Sequence, residues 1–282
     1  MLAPAPRSDH IVDVLIAERA PRLRASRLWP VLRPALYRLM DYNKARAMAD
    51  AIAPLDGEAA LAFISDLLAL ETRVRGLDRV PRTGRLVVVC NHPTGLADGV
   101  AAYDVLKAVR LDAHYYANSD AHRVAAGLGE VLIPVEWVED KRTRERTRLT
   151  LLRSQLAFEQ ERALVVFPAG RIARKGKDGQ LTDPPWRPTA VSLARKYAAP
   201  ILPVHIAGPW SWMFNAFDGV SQELRDITLF HELLNKRGRR FTLTVGFPIR
   251  AKDLRIEAAP ATAELKHYVE RVLPHDPGAR FP

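Results

Sequence analysis

The chain contains a single cysteine, Cys90, among 282 residues. That excludes an internal disulfide and any metal site built from cysteines. No stretch approaches the roughly 18–20 uninterrupted apolar residues a membrane-spanning helix requires. Asp9, His10, Asp13 and Glu18 break up the charged-then-apolar order of a secretory leader. These absences predict a cytoplasmic protein. Internal repeats and low-complexity linkers are missing as well. So are a recognition helix-turn-helix, zinc-ligand spacing and the aromatic–basic pattern of RNA modules, so neither a nucleic-acid partner nor a metal is expected. No cofactor is expected either.

What is present is an ordinary composition with an excess of positive charge. Hydrophobic residues make up 48% and charged residues 26%, as in globular proteins generally. The length fits one large α/β domain, with room for a helical appendage. The net charge of +10 suits an anionic membrane surface, nucleic acid or phosphorylated small molecules such as coenzyme A and lysophospholipids. A merely solvated basic surface accounts for it equally well.

Residues 1 to about 75 read as an N-terminal helical segment. Within it, Arg22 to Met40 mixes arginines with Leu28, Trp29, Val31, Leu32 and Leu39, and Pro30 and Pro34 predict two short helices there. A cleaner helix is predicted from Gly57 to Thr72, with Leu61, Ile64, Leu67 and Leu68 at helical spacing. Strands and helices then alternate. Strands are predicted at Arg85–Cys90, His114–Ala117, Glu130–Val135, Leu164–Phe167, Ile201–Ile206 and Phe241–Val245. Helices are predicted at Gly99–Val109, Lys141–Arg162 and Thr189–Tyr197. The alternation predicts an α/β fold: a mixed, largely parallel sheet flanked by helices. The division expected is residues 1–75 as the helical segment, suited to associate with a membrane, and residues 76–282 as the α/β domain.

Three segments carry candidate chemistry. Directly behind the β-branched run Leu86-Val87-Val88-Val89-Cys90 comes Asn91-His92-Pro93-Thr94-Gly95-Leu96-Ala97-Asp98. A short loop at a strand end lets the Asp98 carboxylate fold back onto the His92 imidazole, making a general base for a hydroxyl or amine. Val165-Val166-Phe167-Pro168-Ala169-Gly170-Arg171 is a second strand-end turn; its glycine admits backbone N–H groups to an anion, and Arg171 and Arg174 can pair with phosphate. An ordinary turn with surface arginines is the competing reading. Pro200-Ile201-Leu202-Pro203-Val204-His205-Ile206 is a proline-flanked strand. His205, His114 and His122 read as packed residues, and Cys90 as a buried structural thiol.

The order of these segments resembles the signatures of the glycerolipid acyltransferase family, which includes the 1-acylglycerol-3-phosphate acyltransferases. The resemblance covers about residues 75 to 250. The His–Asp gap is one residue longer than in most members, and Ala169 stands where they carry Glu; both features resemble a bacterial subgroup often labelled hemolysin-like. Gly127 to Pro134 has the glycine and apolar strand of the second signature but lacks its Arg. The resemblance implies transfer of a fatty acyl group from acyl-carrier protein or acyl-CoA to a lysolipid hydroxyl. His92 would be the base and Asp98 its orienting partner. Asn91, Pro93, Gly95, Phe167, Pro168, Gly170, Arg171 and Arg174 would form the substrate-binding set. The missing Glu leaves the acceptor open between a lysophospholipid and a lysolipid of the ornithine type. An anionic membrane surface on the inner face is the expected partner. The aromatic run Pro209 to Phe217, read as a loop, and the basic stretch Lys141 to Arg153 are further candidate contacts for lipid, carrier or coenzyme A. Two alternatives remain: a thioesterase or lipid hydrolase using the same His–Asp pair, and a basic membrane-binding protein without catalysis.

Overall fold

The computed structural model describes residues 9–136, 143–176, 179–218, 220–254 and 257–282. Nine strands are described: β1 Glu71–Arg75, β2 Leu86–Cys90, β3 Ala113–Asn118, β4 Leu132–Val135, β5 Ala163–Val166, β6 Arg174–Lys175, β7 Leu181–Thr182, β8 Ile201–Ala207 and β9 Arg240–Val245. Seven of them form one sheet in the order β1-β9-β8-β2-β5-β3-β4. Within it only the β8–β9 pairing is antiparallel; the other five are parallel. The chain is therefore α/β with a mixed, largely parallel sheet, and helices precede and flank it. β6 and β7 make a separate antiparallel hairpin.

β2 sits between β5 and β8, and every one of its residues is buried. A strand covered on both faces has no polar alternation, which is why it reads as an unbroken apolar run. Its side chains still alternate between two cores. Leu86, Val88 and Cys90 join the helices Gly57–Leu68 and Leu96–Leu106 on one face. Val87 and Val89 join the helices Thr189–Lys196 and Ala258–His267 on the other. Layers on both faces fix the strand ends, so a loop leaving β2 starts from a rigid platform.

Several sequence expectations are corrected. The predicted helix to Thr72 stops at Leu68, where Ala69 takes a left-handed conformation (φ 43°). The chain then enters β1, which pairs with β9, so the helical reading does not extend to residue 75. Glu71, Arg73 and Arg75 are exposed at this sheet edge, where solvent tolerates charges that a central strand excludes. The stretch Arg22 to Met40 does hold two short helices, Pro21–Ala25 and Trp29–Leu39, but the break falls at residues 26–28 and not at a proline, and Pro30 and Pro34 both lie within the second helix. Its exposure lets water satisfy the carbonyl that Pro34 frees. The aromatic run is not a loop throughout: Trp212–Asp218 is helical, and Met213 and Phe214 are buried. Of the helix predicted from Lys141, Arg144–Glu159 is observed, and Lys141 and Arg142 lie outside the described residues.

Candidate active site

His92 leaves the carboxyl end of β2, and Phe167 follows the carboxyl end of the adjacent β5. In open α/β sheets this edge is where ligands bind. Asp98 lies in the first turn of the helix Leu96–Leu106 and is fully buried. Its Oδ2 accepts from His92 Nδ1 at 2.9 Å and from the backbone N–H groups of Thr94 and Gly95 at 2.9 and 3.0 Å; its Oδ1 accepts the Thr94 hydroxyl at 2.6 Å. Four donors around one carboxylate compensate its removal from water. They also fold residues 92–98 into a closed loop that turns the imidazole toward Asp98.

Gly95 is required by that turn. Its φ is +91°, a conformation that favours glycine, and a Cβ there would stand 2.8 Å from the end of the Ile172 side chain, which would have to shift. Ile172 belongs to the Phe-Pro-Ala-Gly turn, which thereby rests on the His–Asp loop. The same turn holds His92 in two further ways. The Phe167 ring lies 4.6 Å from the His92 ring, tilted by 36°, and Ala173 N–H donates to the His92 carbonyl at 2.8 Å. With Nδ1 facing Asp98, Nε2 is the nitrogen left for an incoming proton. The His92 side chain retains 17% exposure.

The other residues predicted from sequence fall into two groups. Asn91, Pro93, Gly95, Phe167, Pro168 and Gly170 gather around His92. Asn91 bridges strand ends: its amide donates to the Ile206 carbonyl at 2.9 Å and accepts the Ile206 N–H at 2.6 Å. That lashes the β2 exit to β8 and gives Asn91 a holding task. Pro168 is buried and its carbonyl accepts the Arg187 N–H. Gly170 (φ +61°) closes the turn onto the Phe167 carbonyl. Arg171 and Arg174 are instead exposed, Arg174 on the β6–β7 hairpin. Next to Arg174, Lys175 lies 4.0 Å over the Trp210 ring, joining the hairpin to the loop after β8.

The structure also recruits groups that sequence reading missed. Asp183 is buried under the loop, and both its oxygens face the His92 N–H, at 3.1 and 3.2 Å. Trp186 Nε1 donates to Asp183 Oδ2 at 2.8 Å, and Glu270 Oε1 accepts the Asp183 N–H at 2.7 Å. Thr94 packs against Gly208, where a Cβ would meet its methyl at 2.6 Å. Nothing local signals these contacts, because Asp183 is 91 residues from His92 in the chain.

The remaining titratable groups behave as packed residues. Burial pushes the Cys90 thiol well above its ordinary range, so it stays a neutral thiol. Burial lowers His205, whose Nδ1 faces the Val269 carbonyl at 3.0 Å. His114 falls to about 4 through burial and the nearby Arg162. Burial likewise lowers His122.

Comparison with known proteins adds three findings. A sequence family described as "Acyltransferase" matches residues 63–273. Two similar proteins are both named lyso-glycine lipid O-acyltransferase. One, from Phocaeicola vulgatus, is 28% identical across 65% of this chain and 66% of its own length. The other, from Bacteroides thetaiotaomicron, is 26% identical across 65% and 68%. The match thus spans about two thirds of these relatives. Among solved structures, the 1-acyl-sn-glycerophosphate (LPA) acyltransferase PlsC from Thermotoga maritima aligns with a TM-score of 0.48 at 14% identity, covering 93% of this chain and 94% of that one.

Proposed function

The chain belongs to the acyltransferase family, and on that premise we propose that it moves a fatty acyl group from a thioester to a lysolipid hydroxyl. The observation that carries the mechanism is the His92 Nδ1–Asp98 Oδ2 contact at 2.9 Å within a closed loop at the sheet's carboxyl edge. His92 Nε2 takes the proton of the acceptor hydroxyl as its oxygen attacks the thioester carbonyl carbon. A C–O bond forms and the carbonyl electrons move to oxygen. Collapse of that oxyanion breaks the C–S bond, and the imidazolium returns the proton to the departing thiolate. Asp98 holds the imidazole in the tautomer with Nδ1 protonated and stabilises its charged form. The acceptor is itself the nucleophile, so no enzyme serine is needed.

The donor is acyl-carrier protein or acyl-CoA. The acceptor is a lysolipid with an anionic headgroup of the amino-acid type, a reading supported by the two lyso-glycine lipid O-acyltransferases it resembles and by Ala169 in place of Glu. A lysophospholipid is the other acceptor class. Pro93, Gly95, Phe167, Pro168 and Gly170, with Asn91 behind them, are the residues assigned to the substrate beside His92. The exposed Arg171 and Arg174 suit a carboxylate or phosphate headgroup. No described helix is long and apolar enough to cross a membrane. Reaching the lipid then falls to the surface, and the inner membrane face is the proposed place of work.

The test is acyl transfer from both donors to lyso-glycine, lyso-ornithine and lysophosphatidate acceptors. The expected product is an acylated amino-acid lipid, with His92→Ala slower by about 10³-fold or more. Unchanged transfer by that variant removes the mechanism. Free fatty acid without any acylated lipid puts water in the acceptor's place and makes the protein a hydrolase.

A further inference from the structure

Asp183 follows β7 and is only 4% exposed. Its carboxylate accepts two neutral donors, the His92 backbone N–H and the Trp186 indole N–H. Its own backbone N–H donates to Glu270, which sits in the π-helical turn Tyr268–Val272. Glu270 is charge-matched: Oε2 accepts Lys266 Nζ at 2.5 Å and the Thr182 hydroxyl at 2.8 Å. Among the described residues, Asp183 receives no such cation. A carboxylate taken out of water without a cation is costly and is usually avoided. The charged and titratable groups facing it are His92 and Asp98 in the loop, Cys90 on β2, and Glu270 with Lys266 on the C-terminal helix. Of these, the group that gains positive charge during the proposed reaction is His92.

We propose that Asp183 is a positioning residue for acyl transfer: it pins the His92 backbone and supplies a second buried negative charge that favours the imidazolium. The inference rests on the reading of His92 as base. Asp98 acts directly on the ring and Asp183 acts through the main chain beneath it, so the base is held at both ends. Charge can be separated from hydrogen bonding, because a neutral amide keeps the bonds made at Oδ2 and gives up only the second His92 N–H contact at Oδ1. An Asn oxygen at the Oδ2 position still accepts both Trp186 Nε1–H and His92 N–H. Burial first, and the neighbouring Glu270, push Asp183 up to about 7, against the lowering effect of the Trp186 and His92 bonds. Its charge therefore comes and goes in a measurable range.

Asp183→Asn isolates that charge. A protonated Asp183 and the amide that replaces it are near-isosteres, so wild type and variant are expected to have similar kcat at about pH 5.5. Their ratio should grow to the order of tenfold by about pH 8.5, with KM for the acceptor unchanged. Thermal melting of the same two proteins at about pH 8.5 should place the variant at or above wild type. A kcat ratio independent of pH, an unaltered kcat, or a variant that melts below wild type or fails to fold each overturns the proposal, the last by making the carboxylate a prop of the fold. His92→Ala is run alongside. If it keeps wild-type kcat, the base reading falls and this one with it; if it is inactive while Asp183→Asn is unchanged, this one alone falls.

Discussion

At the scale of single residues, the site is governed by where buried charge is matched. Asp98 is fully buried yet takes four donors. An Asn there keeps its oxygen for the three donors on Oδ2, and the Thr94 hydroxyl rotates to accept from the new amide. Asp98→Asn is accordingly expected to fold with little loss of stability while kcat falls about 10²–10⁴-fold. Steady-state kinetics beside a denaturant titration separate the two effects, and a variant with near-native kcat denies Asp98 its role. Asp183 shows the opposite balance. A rise from an ordinary value near 4 to about 7 corresponds to roughly 4 kcal/mol at ~1.4 kcal/mol per unit. The sign follows from linkage. The folded protein prefers the neutral acid, so the penalty is absent below about pH 4, grows as pH rises, and is complete above about pH 7. The same numbers explain what sequence was able to reveal. His92 and Asp98 are six residues apart and meet through one loop, so their pairing was legible. Asp183 meets His92 only after the sheet has assembled, and no local pattern encodes that.

At the scale of elements, the strands carrying the site were readable because burial on both faces writes an apolar run into β2, β5 and β8. The edge strand β1 escaped for the converse reason. Glu71-Thr72-Arg73-Val74-Arg75 faces solvent on alternate residues and carries no apolar run, while Leu67 to Leu70 before it extends the helix's own apolar pattern. The two helices between Arg22 and Met40 were legible too, but no proline marks the break between them: Pro34 sits inside the exposed helix Trp29–Leu39, where water reaches the carbonyl it frees. The joint between elements at the site is Asn91, which satisfies both backbone groups of the buried Ile206. Asn91→Ala strands one donor and one acceptor away from water, at about 1–3 kcal/mol for each group. Urea titration is expected to lose about 2–5 kcal/mol in total, with activity falling as the β2 exit loosens. A stability within about 0.5 kcal/mol of wild type contradicts the assignment of Asn91 as the strand clamp.

At the scale of the whole molecule, the net charge of +10 and the exposed apolar residues have to be read together. The helix Trp29–Leu39 buries none of its residues. Leu36 and Tyr37 lean on the N-terminal helices, while Leu28, Val31, Leu32 and Leu39 stand exposed. Leu28, Val31, Leu32 and Leu39 share a stripe at helical spacing, and Arg33 and Arg38 lie beside it. An apolar stripe bordered by arginines suits the boundary between headgroups and acyl chains, where the proposed lysolipid acceptor would reside. Each basic residue near an anionic surface contributes about 1 kcal/mol, and each leucine or valine that inserts adds about 1.5–3 kcal/mol. Replacing Val31 and Leu39 by Glu removes two inserting groups and adds repulsion, so binding to vesicles of anionic lipid should weaken by about 100-fold or more. Because both side chains already face solvent, stability should stay within about 0.5 kcal/mol. Co-sedimentation with anionic and zwitterionic vesicles, at low and high salt, reads the effect. Wild type should pellet with the anionic vesicles and release as salt rises, while the double variant stays in the supernatant. Equal pelleting of the two proteins removes this helix from the membrane contact. If the variant nonetheless acylates a detergent-dispersed lysolipid at the wild-type rate, the stripe serves access to the bilayer, and the chemistry belongs to the carboxyl edge of the sheet.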